Sequence, residues 1–243
     1  MSSYIVIPAR YSSSRLPGKP LCDIKGIPMI IHVAQRAKKV SGVKEVFVAT
    51  DDSRIMDVVN KFGFKCVMTR KDHISGTDRI YEAVTKIGLL PDDIIINVQG
   101  DQPLLDITAV EKMFSLYKKG IFSMTTVACK MSKKEAQNPN RVKVVVDNSS
   151  RAIYFSRSQI PFDRDGLLDN VQKPYLRHLG LYCYNVLFLK KFVSWPEGKL
   201  EKIERLEQLR VIENGCTIGI ATVNSAPPEV DTEEDLALVR SLF

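Results

Sequence analysis

Apolar positions along this chain alternate between two periods. Short β-branched runs read as buried strands: Ile5-Val6-Ile7, Val46-Phe47-Val48-Ala49, Lys65 to Met68 and Ile94 to Val98. Between them the apolar residues fall at helical spacing, over Met29 to Lys39, Arg54 to Phe62, Thr77 to Ile87 and Thr108 to Tyr117. Asp52 or Ser53 can cap the second of these helices, and Gly63 and Gly88 stop the second and third. This βα alternation predicts an α/β fold, with a mostly parallel central sheet flanked by helices.

The second half changes character. Ser123 to Lys130, Lys143 to Asp147, Ala152 to Phe155 and His178 to Tyr184 read as strands. Leu200, Ile203, Leu206, Leu209 and Ile212 mark one amphipathic helix, ended by Gly215. Thr217 to Val223 is a further strand and Asp235 to Leu242 a closing helix. The polar stretch Asp163 to Pro174 reads as a mobile loop. No linker composition appears near residue 120. The expectation is one domain over residues 1–243, with an inserted antiparallel lobe that supplies a substrate wall and a dimer surface.

Composition narrows the class. The 243 residues are 44% hydrophobic and 26% charged, which fits a soluble globular chain. No apolar run is long enough for a membrane span, and the N-terminus has no signal-peptide layout. The five cysteines are far apart and form no Cys-x-x-Cys, which favours reduced thiols. The three histidines lack metal-ligand spacing with them, so no structural zinc site is expected. A net charge of +7 suits a nucleic acid, a small polyanionic substrate or a solvated surface. No Lys/Arg run exceeds two residues and no nucleic-acid motif is present, so nucleic acid is not the expected partner.

Candidate chemistry concentrates after the first strand, where α/β sheets commonly bind ligands. Arg10, Arg15 and Lys19 lie in a Ser-rich loop, held out of helix by Pro17 and Pro20. Cations and small residues there suit phosphate. It is not a P-loop: Ser13 replaces the first glycine and Pro20 the metal-binding hydroxyl. The strand Ile94 to Val98 ends in Gly100-Asp101, where Asp101 either ligates Mg²⁺ or caps the following turn. In Val230-Asp231-Thr232-Glu233-Glu234-Asp235, Thr232 caps a helix and Asp235 stands at its third position. Asp231 then either joins Asp101 at a metal or only favours the helix dipole. Ser75-Gly76-Thr77-Asp78-Arg79 can read a base or ribose, or simply start a helix. His178, Tyr182 and Tyr184 alternate with apolar residues, so they share one face, either a sugar site or a wet strand surface.

In order, these stretches resemble the 3-deoxy-manno-octulosonate cytidylyltransferases. The matching pieces are Pro8-Ala9-Arg10, Ser14-Arg15-Leu16-Pro17-Gly18-Lys19-Pro20-Leu21, Ala49-Thr50-Asp51-Asp52 and Ser75-Gly76-Thr77-Asp78-Arg79. They continue with Asn97-Val98-Gln99-Gly100-Asp101, Tyr154-Phe155-Ser156-Arg157, His178-x-Gly180-x-Tyr182, Leu206-Glu207-Gln208-Leu209-Arg210 and Val230-Asp231-Thr232. The resemblance implies a nucleotide-diphosphosugar transferase type of fold, a nucleotide-binding part about 1–120, and a sugar-binding and dimerisation lobe about 121–215. It implies transfer of CMP from CTP to the 2-hydroxyl of 3-deoxy-manno-octulosonate, an acidic eight-carbon sugar, with release of pyrophosphate. Arg10, Arg15 and Lys19 would hold the triphosphate, and Arg15 and Lys19 would stabilise the leaving group. Ser75, Gly76, Thr77 and Arg79 would line the cytidine pocket. Asp101 and Asp231 would hold Mg²⁺. Gln99, Arg157, His178, Tyr182, Glu207 and Gln208 would position the sugar. The family setting implies a cytoplasmic homodimer feeding lipopolysaccharide synthesis.

Two departures bear on the sugar. Gln102 stands where that family usually has Glu, and Glu229 and Glu233 stand where it has Gly and Pro. A new carboxylate near the sugar could pair with an ammonium group, so the same reaction on 8-amino-3,8-dideoxy-manno-octulosonate is the alternative. Another acidic sugar, a nucleotide-binding regulator without catalysis and an RNA-binding protein are the remaining readings. Retention of both aspartates argues against the regulator.

Overall fold

The computed structural model describes residues 1–12 and 15–243. Ser13 and Ser14, part of the predicted phosphate loop, lie outside the described residues. In chain order come β1 (Ser3–Ala9), a 3-10 turn (Lys19–Leu21), β2 (Asp23–Ile24), β3 (Ile27–Pro28), α1 (Met29–Ala37), β4 (Glu45–Thr50), α2 (Ser53–Lys61), β5 (Lys65–Met68), α3 (Gly76–Ile87) and β6 (Ile94–Asn97). The chain continues through α4 (Ile107–Lys118), β7 (Met124–Met131), α5 (Lys133–Ala136), β8 (Lys143–Val146), β9 (Ala152–Ser156), β10 (Tyr175–Asn185), α6 (Val186–Ser194), α7 (Lys199–Glu204), α8 (Leu209–Glu213), β11 (Ile218–Val223) and α9 (Glu233–Leu242). The chain divides into two compact units.

The first unit holds residues 1–108, 185–193 and 227–243. Its sheet is parallel, in spatial order β6-β1-β4-β5, with Ile5 opposite Ile96 and Val6 opposite Phe47. This is the predicted α/β architecture, a parallel sheet flanked by helices; β2 and β3 add a small antiparallel pair. Apolar runs build its core: Ile5, Val6, Ile7, Ile95, Ile96 and Val48 are fully buried. Strand order reverses between β1 and β6, so the loops leaving these two strands flank the switch point. The predicted caps form: Asp52 accepts from the Arg54 N–H, Ser75 from the Asp78 N–H, and Thr232 makes a full capping box with Asp235.

The second unit holds residues 109–184 and 194–226. Here β11 runs parallel to β7, whereas β10 pairs antiparallel with β7 and β8, and β8 with β9. The strict alternation expected over His178 to Tyr184 is broken by a register shift between His178 and Tyr182, where Gly180 has φ +66°. That strand has no wet face at these positions: His178, Tyr182 and Tyr184 are all buried.

The single helix expected over residues 200–212 is two helices. Arg205 turns left-handed (φ 53°) and ends α7. The Arg157 guanidinium takes the exposed carbonyls of Glu204 (2.7 Å) and Arg205 (3.3 Å), while the Glu204 carboxylate accepts from Ser156 Oγ and the Arg157 N–H. These tertiary bonds outweigh the helical period. The stretch Asp163 to Pro174 carries no helix or strand, and Asp163 accepts from the N–H groups of Leu167 and Leu168.

Candidate functional site

At the switch point of the first unit lies a cleft of about 430 Å³. Pro8, Ala9 and Arg10 enter it from β1, and Gln99, Gly100 and Asp101 from β6. Gly100 is needed there: a Cβ would lie 3.1 Å from the Pro8 carbonyl oxygen. Arg15, Lys19, Ser75, Gly76, Arg79 and Asp231 complete much of its lining. Nine of the predicted site residues, from four separate chain segments, therefore converge.

Lys19 is central to the cleft. Its Nζ donates to Asp101 Oδ2 (3.0 Å), Asp231 Oδ1 (3.1 Å) and the Val230 carbonyl (3.0 Å). Three ammonium donors meet three oxygens, so the charge is fully engaged. Burial alone would lower the Lys19 pKa, but Asp101 and Asp231 outweigh it and raise the ammonium above its ordinary value. Arg15 adds a second cation, 3.1 Å from Asp231 Oδ1.

Local folding explains why these groups meet. Gly18 adopts φ +70°, and its N–H donates to the Tyr11 carbonyl (3.1 Å); a side chain there would strike the Tyr11 ring. That turn launches Lys19 into the 3-10 segment. Leu16, Ile24 and Met29 pack with Val230, Leu236 and Val239, drawing the C-terminal helix against this loop. The Val230 N–H then donates to the Asp101 carbonyl (3.0 Å). Asp235 completes the capping box of α9, accepting from the N–H groups of Asp231 and Thr232, while the Asp231 carboxylate faces the cations. The contact between Asp101 and Asp231 that spacing could not show is thus made through Lys19. Beside it, Gln102 Nε2 donates to Glu229 Oε1 (3.1 Å).

The base-side candidates are placed differently from one another. Ser75 and Gly76 stand at the start of α3, at the cleft. Thr77 is buried and absent from the cleft lining. Arg79 is also buried: it donates to Asp51 (2.8 Å), Thr69 and the Arg70 carbonyl (3.3 Å). Its guanidinium ties the end of β4 to α3 and edges the cleft. Gln99 Nε2 donates to Asn97 Oδ1 (3.3 Å), while the buried Asn97 Nδ2 has no partner.

Of the remaining candidates, which all belong to the second unit, His178, Tyr182 and Gln208 form a buried polar cluster. Thr126 Oγ1 donates to the Leu181 carbonyl, so His178 Nε2, 3.0 Å from that hydroxyl, is the donor in their contact. His178 therefore carries its proton on Nε2 and keeps Nδ1 as an acceptor. Burial, with Arg177 nearby, lowers its pKa to about 3, so the imidazole is neutral at working pH. Tyr182 donates to Gln208 Oε1 (3.2 Å); burial, with Glu207 nearby, pushes the phenol well above its ordinary pKa. Gln208 Nε2 is a buried donor with no partner. Glu207 is half-buried, and Arg157 is committed to backbone carbonyls at the end of α7.

The depressed His178 pKa gives a testable pH dependence. The unfolded chain gains a proton on this residue below about 6.5, whereas the folded chain does not until about 3. The native state binds fewer protons in that window, so stability is lost as pH falls. The stability advantage of wild type over His178→Gln should therefore shrink between pH 7 and pH 4 in denaturant titrations. A constant difference would show that the imidazole titrates normally.

Sequence reading did not single out Lys143, which is fully buried with its ammonium on the carbonyls of Asn138 and Arg157. Nor did it reach the Gln102–Glu229 bond, which joins positions 127 residues apart. The departures from the resembled motifs at both positions were the available signal.

A phosphate-suited cationic loop beside a paired-aspartate site, at the switch point of an α/β sheet, defines a nucleotidyltransferase. The chain belongs to the cytidylyltransferase family, whose model matches residues 4–218. It is 47% identical to 8-amino-3,8-dideoxy-manno-octulosonate cytidylyltransferase of Shewanella sediminis, over 99% of this chain and 98% of that protein. The protein of the same name from Shewanella halifaxensis is 48% identical over 98% of this chain and 97% of its own. Among solved structures, CMP:2-keto-3-deoxy-manno-octonic acid synthetase complexed with CTP superposes with a TM-score of 0.93 at 45% identity, covering 100% of this chain and 98% of that one. The protein is a CTP-dependent cytidylyltransferase.

Proposed function

We propose that this enzyme transfers CMP from CTP to the anomeric 2-hydroxyl of 8-amino-3,8-dideoxy-manno-octulosonate, releasing pyrophosphate. The unsubstituted octulosonate, favoured on motif resemblance alone, takes second place. The observation that carries the choice is Glu229, a carboxylate held by Gln102, the neighbour of Asp101 in the chain, and two positions before Asp231. The names of the full-length relatives support the same choice.

In this reading the sugar oxygen attacks the α-phosphorus as the bond to the β-phosphate breaks, with no covalent enzyme intermediate. Such a transfer depends on positioning and charge neutralisation. Arg10, Arg15 and Lys19 set the triphosphate end of the cleft, and Ser75 and Gly76 the nucleoside end. Asp101, Asp231 and the Val230 carbonyl offer only hard oxygen donors. Two carboxylates and a carbonyl suit an ion that keeps water and phosphate among its ligands. Asp101 and Asp231 would hold Mg²⁺, which when bound would acidify the attacking hydroxyl and neutralise phosphate charge. In the second unit, the His178 acceptor and the Gln208 amide would be the groups to meet sugar hydroxyls. Among the described residues no helix is long and apolar enough to cross a membrane. The family setting supports a cytoplasmic homodimer that supplies lipopolysaccharide synthesis.

The test is selectivity. Glu229→Gln should lower kcat/KM for the aminated sugar about ten-fold, the value of one charge-assisted hydrogen bond. The unsubstituted sugar should change less than about two-fold. Equal losses on both sugars would sink the pairing of Glu229 with the ammonium.

A further inference from the structure

One wall of the cleft is built by the segment from Arg70 to Ser75, of which His73, Ile74 and Ser75 line the cleft. Apolar burial does not hold this wall in place. Ile74 is 93% exposed, and an open groove of about 590 Å³, lined in part by Arg70, His73, Ile74, Tyr81 and Glu82, runs along the segment. His73, whose side chain is 7% exposed, is polar. A segment with so little apolar packing needs other restraints, because ordering it costs backbone entropy.

Those restraints come from α3. Arg79, Glu82 and Lys86 are spaced i, i+3 and i+7, so they share one helix face. Arg79 holds Thr69 and the Arg70 carbonyl, and Lys86 Nζ donates to the Met68 carbonyl (2.8 Å). Glu82 stands between them and holds His73, a residue that lines the cleft. Its Oε2 accepts from the Arg70 N–H (3.0 Å) and pairs with His73 Nε2; its Oε1 is 2.7 Å from Lys86 Nζ. Burial acts to raise the Glu82 pKa, but Lys86, the Arg70 N–H and His73 outweigh it and lower it to about 2. The carboxylate is therefore ionised throughout the working range.

We infer that Glu82 is a positioning residue for the nucleotide: by fastening Arg70 and His73 it preforms the wall that His73 and Ile74 present to the nucleoside end of CTP. This rests on assigning the cleft to CTP. Glu82 itself touches neither the cationic loop nor the paired aspartates, so its influence falls on nucleoside binding and not on the phosphates.

The experiment is calorimetric titration of CTP and, separately, of pyrophosphate into wild type and Glu82→Gln, with thermal melts of both. Gln keeps the shape and one acceptor oxygen but loses the charge. The CTP affinity should fall about five- to ten-fold, the pyrophosphate affinity should stay within two-fold, and kcat at saturating CTP should stay within two-fold. Glu82→Asp, which keeps the charge on a shorter arm, should recover part of the loss. Unchanged CTP affinity in Glu82→Gln would overturn the inference. So would a parallel loss of CTP and pyrophosphate, which marks general damage to the unit. If wild-type CTP binding proves insensitive to Arg15→Ala, the cleft assignment falls and this inference with it; if that binding is sensitive and Glu82→Gln is not, only the inference falls.

Discussion

Asn in place of Asp101 or Asp231 should lower kcat about 10³-fold, or roughly 4 kcal/mol of transition-state stabilisation. Asn preserves the shape of either side chain but removes a charge from the pair that Lys19 bridges. The effect on stability should be small. Two carboxylates meet two cations here, Lys19 and Arg15, in a partly exposed setting where solvent screens each pair. Losing one charge therefore costs little, and the thermal midpoint should hold. Steady-state pyrophosphate release paired with a melt tests both halves. An inactive variant that also melts early would mean the aspartates serve the fold.

Lys19→Met should produce a loss of similar size by a different route, about 10²- to 10³-fold in kcat/KM. It removes the cation that binds Asp101, Asp231 and the Val230 carbonyl together, leaving two carboxylates and a carbonyl facing a methyl group. Here stability should fall with activity. The loss should be only about 1 kcal/mol, because Asp231 is 40% exposed and solvent screens the pair. Arg15, still 3.1 Å from Asp231, offsets part of it. Lys19→Met should cost more stability than either Asp→Asn variant, because it alone breaks all three contacts. If an Asp→Asn variant melts earlier than Lys19→Met, Lys19 does not bridge the pair as described.

Much of this was legible in the amino-acid order because the signals are local. Period-two and period-3.6 runs fixed β1, β4, β6 and the intervening helices, and short polar caps at Asp52, Ser75 and Thr232 marked helix starts. The candidate residues around the cleft were nameable because Arg10, Lys19 and Asp101 follow strand ends in an α/β pattern. Long-range geometry was not legible. Nothing in spacing says that one lysine ammonium joins residues 101 and 231, or that Gln102 reaches Glu229. The break at Arg205 escaped because it depends on Arg157 and Ser156, about 48 positions earlier. The irregularity at Gly180 escaped because the alternation on either side of it looks continuous. Arg79 read as a base-side residue, yet its partners Asp51 and Thr69 come from the preceding βαβ segment.

The most direct test of the whole account is pyrophosphate release from CTP and Mg²⁺, run in parallel with 3-deoxy-manno-octulosonate and its 8-amino analogue. The account predicts sugar-dependent turnover with a higher kcat/KM for the aminated sugar. Turnover with neither sugar, or a clear preference for the unsubstituted one, would contradict it.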